Sequence, residues 1–300
     1  MKQLLNIYKP QGSTPLEAIK LVRKKFPELK NEKIGYAGRL DPLAHGVLLL
    51  MIGEEITKQK DKFLNLPKEY EFEVVFGIST DTYDALGILQ NKSVIARSES
   101  RLNREKTTKQ SQLNKRLPRS FSVARNDVEK FISSKLGKQT QIYPPFSSKT
   151  VNGKPLFWWA KNNKLAEIKI PEREIEIYDF KLLEIKQISA IKLKEKIMKQ
   201  IELVDGDFRQ EKIKTKWEEF FTNYCHAELN SASINKKNPK QVLDDAFTTA
   251  RFSISCSSGT YIRSLTNELG GKLGIGAITL DINRTKVGDN LLQNSLILQK

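Results

Sequence analysis

The sequence predicts an α+β protein, and three stretches predict it. Residues 68–76 alternate, with Tyr70, Phe72, Val74 and Phe76 on one side and Glu69, Glu71 and Glu73 on the other, the period of a half-buried strand. Residues 47–52 form an unbroken apolar run, which fits a buried strand and also a short buried helix segment. Thr14-Pro15-Leu16-Glu17 places a capping residue, a proline and a glutamate in the order that opens a helix. Leu16, Ile19, Val22 and Phe26 then follow at helical spacing until Pro27 stops the pattern.

The other elements follow in order. Residues 3–8 read as a first strand and 9–12 as a turn. Residues 54–64 read as a short helix, and 77–87 as a polar loop with two aspartates. Residues 126–136 read as a capped helix with Val128, Phe131, Ile132 and Leu136 on one face and Gly137 as its stop. A Pro/Ser/Gly loop spans 143–153, and an element of either type begins at Phe157-Trp158-Trp159-Ala160. Residues 175–185 and the alternation of Phe252, Ile254 and Cys256 give two more strands. A helix over 260–273 and a last strand over 277–285 complete the pattern. Two basic insertions interrupt it, at about 92–123 and 189–248. The first carries nine Lys/Arg and two Glu between Arg97 and Arg125. The second is lysine-rich and scarcely periodic, with local helix around 216–224.

Three hundred residues with 39% apolar and 29% charged composition suffice for a sizeable core under a highly charged surface, here as one domain over 1–300. No apolar run reaches the length of a membrane span, and the N-terminus has no signal-peptide core. Cys225 and Cys256 give no disulfide framework, so a cytoplasmic setting is expected. The net charge of +16 favours a polyanionic partner. Nucleic acid leads over an anionic membrane surface, because no basic amphipathic helix stands out. A lysine-rich proteome gives the same composition.

The stretch with chemical content is Gly35-Tyr36-Ala37-Gly38-Arg39-Leu40-Asp41-Pro42-Leu43-Ala44-His45-Gly46. Its glycines permit conformations that other residues resist, and Pro42 biases Asp41 toward an extended backbone. Asp41 is thereby fixed on a rigid loop at the mouth of a buried element, a good place for a reactive group. A turn carboxylate bonded to its own backbone is the plain alternative.

This loop resembles the catalytic loop of the TruB family of tRNA pseudouridine synthases. Further stretches resemble the family in the right order: 6–12 (Asn-Ile-Tyr-Lys-Pro-Gln-Gly), 68–70 (Lys-Glu-Tyr), 80–87 (Thr-Asp-Thr-Tyr-Asp-Ala-Leu-Gly), 144–149 (Pro-Pro-Phe-Ser-Ser-Lys) and 256–263 (Cys-Ser-Ser-Gly-Thr-Tyr-Ile-Arg). The resemblance implies the pseudouridine synthase fold, with a mixed, mainly antiparallel sheet flanked by helices and loops. It implies isomerisation of a uridine in the T-loop of tRNA, at position 55, without cofactor or metal.

By the same resemblance Asp41, Tyr70 and Arg263 are catalytic. A carboxylate can act as nucleophile or base, and the sequence leaves both open. A phenol at Tyr70 can stack on a flipped uracil or exchange a proton, or it can simply fill the core beside Phe72 and Val74. Arg263 can pair with Asp41 and keep it ionised, or it is a solvated helix arginine. Tyr36, Arg39 and Ile282 are expected on the substrate, with Lys9 and Lys149 on phosphates; Ile282 is equally a plain core residue. Residues 257–260 at a helix start either bind a phosphate or cap the helix.

Two departures stand out. Tyr36 occupies the place of a family histidine thought to help bring out the target base, and tyrosine cannot carry its positive charge. The chain also ends about fifteen residues beyond the last core motif, so the RNA-binding PUA domain usual in bacterial members is expected to be absent. His226 beside Cys225 is too sparse for a metal site. The expected partner is the tRNA T-arm, with no membrane, no evident protein partner and a monomeric state. The competing readings are a basic RNA-binding protein or RNA chaperone without catalysis, and a guide-dependent pseudouridine synthase.

Overall fold

The computed structural model describes residues 3–90, 123–234 and 247–298. In chain order the elements are β1 (Gln3–Lys9), α1 (Pro15–Lys25), β2 (Ile34–Ala37), β3 (Ala44–Ile52), α2 (Glu54–Lys58), α3 (Lys60–Leu64) and β4 (Lys68–Phe76). Then come α4 (Arg125–Ser133), β5 (Gly137–Ile142), β6 (Thr150–Val151), β7 (Lys154–Pro155), α5 (Leu156–Lys161) and β8 (Glu172–Ile188). The remainder is α6 (Ala190–Leu203), α7 (Gln210–Ile234), β9 (Phe247–Cys256), α8 (Ile262–Lys272), β10 (Ala277–Val287), β11 (Asn290–Leu291) and β12 (Leu296–Ile297).

Ten strands form one sheet in the order β12-β1-β3-β10-β4-β9-β8-β5, with β11 beside β10 and β2 beside β3. Only β12–β1 and β3–β10 are parallel pairs; the others are antiparallel. The sheet is therefore mixed and mainly antiparallel, as expected of an α+β fold. The alternation of β4 decides its two faces. Tyr70, Phe72, Val74 and Phe76 enter a front core with α4 and α8, through Phe131, Ile132, Leu265 and Leu269. Glu69, Glu71 and Glu73 point to the back, each paired with a cation: Lys286 at 3.0 Å, Arg251 at 3.0 Å and Lys196 at 2.5 Å.

Local expectations hold with shifts. Helix α1 opens with a complete capping box: the Glu17 amide donates to Thr14 Oγ1 and the Thr14 amide to the Glu17 carboxylate. Its buried face is Pro15, Ala18, Ile19 and Val22, so Leu16 falls at the edge of that face and is exposed. Residues 54–64 are two short helices, α2 and α3, rather than one. Helix α4 stops at Ser133, where the Ser134 hydroxyl donates to the Phe131 carbonyl, and this leaves Leu136 exposed. Strand β10 is not the last, since β12 closes the far edge beside β1.

The largest correction concerns the second insertion, predicted at 189–248 as scarcely periodic. Most of it is a helical hairpin. Ala190, Leu193, Ile197 and Ile201 of α6 and Ile213, Trp217 and Phe221 of α7 are buried at helical spacing. They pack on the back of the sheet against Val75, Ile278, Leu280 and Phe247. Lys192, Lys199, Lys212 and Lys216 occupy the outer face, while Lys196 turns back to Glu73. Its last two predicted residues, Phe247 and Thr248, already belong to β9. The first insertion lies outside the described residues up to Ser122.

Candidate active site

Three adjacent central strands set the frame. Arg284 of β10 lies opposite Gly46 of β3 on one side and Tyr70 of β4 on the other. A side chain at Gly46 would put its Cβ 2.3 Å from the Arg284 carbonyl oxygen, and the φ of +107° suits glycine alone. This close approach lets the guanidinium of Arg284, itself fully buried, reach under the Asp41 loop. Its Nε donates to the Val47 carbonyl at 2.7 Å and its Nη2 to the Gly38 carbonyl at 3.2 Å. The loop is pinned on its other side by β1 and the turn after it. The Gly12 amide donates to the Pro42 carbonyl at 2.8 Å. Lys9 Nζ donates to the Ser13, Pro10 and Pro42 carbonyls at 2.6, 3.0 and 3.4 Å.

Asp41 leaves this loop 30% exposed, while its partner Arg263, at the start of α8, is 3% exposed. Arg263 Nε donates to Asp41 Oδ2 at 2.7 Å. Its Nη1 donates to the Thr82 carbonyl at 2.7 Å and its Nη2 to the Phe146 carbonyl at 3.2 Å. A second carboxylate, Asp84, stands 3.6 Å from the same Nε. Asp84 is buried and accepts from the Thr82 hydroxyl at 2.6 Å and the Leu86 amide at 3.0 Å. Burial pushes the Asp84 carboxyl up to about 6, with Arg263 pulling it back down. Burial also works against the charge of Arg263, but Asp41 and then Asp84 overcome it and hold its pKa above the ordinary arginine value.

Tyr70 and Ile282 belong to the apolar wall beside this cluster, with Leu40, Ala44 and Phe72. Burial pushes the Tyr70 phenol up to about 12, so it stays a neutral phenol at neutral pH. Tyr261, just before α8, is packed edge-on against Tyr143 at 5.5 Å between ring centres. Burial, then the charge of Asp41, raises its pKa.

Asp41 and Arg263 are thus brought into direct contact, with Tyr70 and Ile282 on the adjoining wall. Lys149 is exposed, with its ammonium 5.5 Å from the Tyr143 ring centre. Arg39 is exposed, and its Nη2 donates to the Tyr36 hydroxyl at 3.1 Å. Tyr36 packs its ring toward Ile19 and Leu50. Lys9 is a correction. It is 0% exposed and donates to three carbonyls, so it is a strut of the Asp41 loop and not a phosphate contact. Burial lowers its pKa to about 7, against the pull of Asp41. The turn at 257–260 is also tied down internally. Ser257 Oγ accepts from the Glu176 amide, Ser258 Oγ from Arg173, and the Thr260 hydroxyl donates to the Ser257 carbonyl. Sequence reasoning assigned no role to Asp84 or Arg284. Asp84 stood inside a recognised stretch and could have been found there as a second acid; nothing local distinguishes Arg284.

The family model described as TruB family pseudouridylate synthase (N terminal domain) matches residues 23–122 and, overlapping it, 97–201. The chain belongs to the TruB family. It is a pseudouridine synthase, an isomerase. Among curated relatives, tRNA pseudouridine synthase B of Clostridioides difficile (strain 630) is 28% identical over all of this chain and 70% of its own length. The protein of the same name from Aquifex aeolicus (strain VF5) is 27% identical over all of this chain and 73% of its own. Among solved structures, a Cbf5-Nop10-Gar1 complex superposes with a TM-score of 0.51 at 17% identity, over 98% of this chain. This chain spans about half (52%) of that one, and the likeness bears on the fold alone.

Proposed function

We propose that this TruB-family chain isomerises uridine to pseudouridine in the T-loop of tRNA, at position 55, with Asp41 as the group that attacks or deprotonates the nucleoside. The observation that carries this reading is the pairing of a partly exposed carboxylate with a buried arginine whose two terminal nitrogens each donate to a carbonyl. Such an arginine cannot swing away, so it holds the Asp41 carboxylate aimed at the open side.

A target uridine has to leave its stack, at a cost of a few kcal/mol that the pocket offsets. The uracil then lies against the Tyr70 and Ile282 wall. Asp41 works at the ribose or the base while the glycosidic C1′–N1 bond breaks; the wall holds the free uracil as it turns, C5 bonds to C1′ and gives up its proton, and N1 ends protonated, so the net reaction is an isomerisation. Tyr70 supplies a face for stacking and a neutral hydroxyl that can hydrogen-bond the base. Lys149 and Arg39, both exposed, are placed for phosphates, and Tyr36 takes part through its contact with Arg39. The reading rests on the family, on the activity for which the relatives are named and on this geometry.

The test is to incubate the protein with an unmodified T-arm stem-loop and to map pseudouridine chemically at each uridine. Conversion at the single T-loop position is expected. Conversion confined to other uridines would overturn the site assignment. Binding with no conversion at any uridine would favour a catalytically silent RNA-binding protein.

A further inference from the structure

The helical hairpin on the back of the sheet reaches the loops around the front site. The loop between α6 and α7 ends at Arg209, whose backbone lies in the left-handed region at φ +66°. A long, charged side chain rarely occupies that conformation, and it persists only where the surroundings enforce it. Here they do. Arg209 Nη1 and Nη2 donate to the two oxygens of Asp81 at 2.8 and 3.4 Å. The guanidinium carbon sits 4.4 Å from the ring centre of Phe146. The pair is mostly buried, at 20% and 25% exposure.

Both partners belong to the loops that hold Arg263. Phe146 supplies the carbonyl that receives Arg263 Nη2. Asp81 adjoins Thr82, which supplies the carbonyl for Nη1, and the 80–87 loop also carries Asp84. The same loop contains Tyr83, a second residue with a left-handed backbone, at φ +66°. The hairpin grips this loop once more, through Trp217 Nε1 donating to the Ala85 carbonyl at 3.2 Å. Asp81 Oδ1 in turn accepts from the Ile88 amide at 2.8 Å, which closes the loop on itself.

We propose that Arg209 is a positioning residue for the isomerisation: it bridges the 80–87 loop and the Phe146 loop, and so fixes the two carbonyls and the second carboxylate that aim Arg263 at Asp41. The hairpin is then part of the active site's scaffold, not an appendage. The inference rests on the assignment of Asp41 and Arg263 as the working pair. Arg209 spends its donors on Asp81 and one face on Phe146, which leaves little of it for a phosphate.

The experiment compares wild type, Arg209→Ala, Arg209→Lys, Asp81→Asn and the Arg209→Ala/Asp81→Asn double variant, with Asp41→Asn as reference and Lys214→Ala as a control on the outer surface of the same hairpin. Single-turnover rates at saturating T-arm stem-loop, RNA affinity against salt, thermal midpoints and amide exchange at Leu86 and Ile88 are measured. Displacement of a supporting group by about 1 Å costs roughly 100-fold, so Arg209→Ala should lower the rate by roughly 10- to 100-fold with affinity unchanged. Arg209→Lys should recover part of the rate, the double variant should be no slower than either single one, and Lys214→Ala should match wild type. The Leu86 and Ile88 amides should exchange faster in Arg209→Ala while those of β3 do not.

A wild-type rate, or unchanged protection of Leu86 and Ile88, overturns the proposal. A loss confined to affinity, with the salt slope reduced by about 1, makes Arg209 a phosphate contact instead. A lower thermal midpoint with full activity on cooling makes it a stability residue only. The exchange measurement decides even without turnover. An active Asp41→Asn protein would count against the site assignment and not against the bridge.

Discussion

The two faces of β4 are held by different means. On the front, Tyr70 leads into a cluster where one buried arginine serves two carboxylates and two carbonyls, with Asp41 alone open to solvent. On the back, Glu69 and Glu71 of the same strand each face one cation, and both members of each pair are about half exposed. The front geometry is over-determined, since no group there moves without unpairing another. These two back pairs are open to solvent, where water and salt replace a lost partner at little cost. Residues one position apart in sequence should therefore differ by orders of magnitude in what their replacement does.

The sharpest test of that contrast is Asp41→Asn. The change is nearly isosteric, Arg263 keeps Asp84, and folding should be intact, yet isomerisation should be abolished in a multiple-turnover assay. Measurable turnover would remove Asp41 from its role. Next comes pH. Below about pH 6 Asp84 is protonated and Arg263 keeps one carboxylate instead of two. The rate should therefore rise through a midpoint near pH 6, and Asp84→Asn should erase that limb of the profile. For stability the sign is opposite. The carboxyl titrates higher in the folded state than the 3.8 of a free aspartate side chain. Between there and about 6 the folded state holds more protons, and its stability falls as pH rises. Chemical denaturation at pH 4, 5 and 6 should show a shallower fall in Asp84→Asn.

A smaller effect is expected from Lys9→Met. Three carbonyls lose their donor, so the Asp41 loop should loosen and the thermal midpoint should drop. The slope of log RNA affinity against log salt should stay as in wild type. A slope reduced by about 0.7 to 0.9 would return Lys9 to the phosphate contacts. Smallest is Glu71→Ala on the back face, which should cost less than about 1 kcal/mol and leave the rate unchanged. A large loss of rate there would break the contrast.

The front was legible because its groups sit in short, unusual stretches. The Asp41 loop stood out locally as a rigid turn before a buried run, but the catalytic reading of Asp41, like that of Arg263, came through resemblance. Their contact spans 222 residues of sequence and came only through resemblance. Lys9 was misread because its type pointed to phosphate while its burial is a tertiary fact. The hairpin was missed for a different reason. The stripe Leu193, Ile197, Ile201 and the stripe Ile213, Trp217, Phe221 were present, but the lysines between them drew attention to charge. Lysine at the intervening positions is what a helix with one solvent face requires. Arg209 has no sequence signal at all, because its role lies in a φ angle and two distant partners.

The place of β4 in the sheet bears on how the molecule is made. Both of its neighbours, β9 and β10, come from the C-terminal part of the chain. During synthesis the strand with Tyr70, Phe72, Val74 and Phe76 on one side leaves the ribosome with neither edge partnered. It waits until the chain has passed Phe247. At about 5–20 residues per second that wait is on the order of ten to thirty seconds. Over this interval the nascent chain exposes an unpaired apolar edge, the kind of segment that associates with other chains. Productive folding should then hinge on the arrival of β9 and β10, and chains truncated before them should be insoluble when overproduced. The same late arrival sets Tyr70 against Arg284 and brings in Arg263, so the nascent enzyme passes from inert to competent in one closing step.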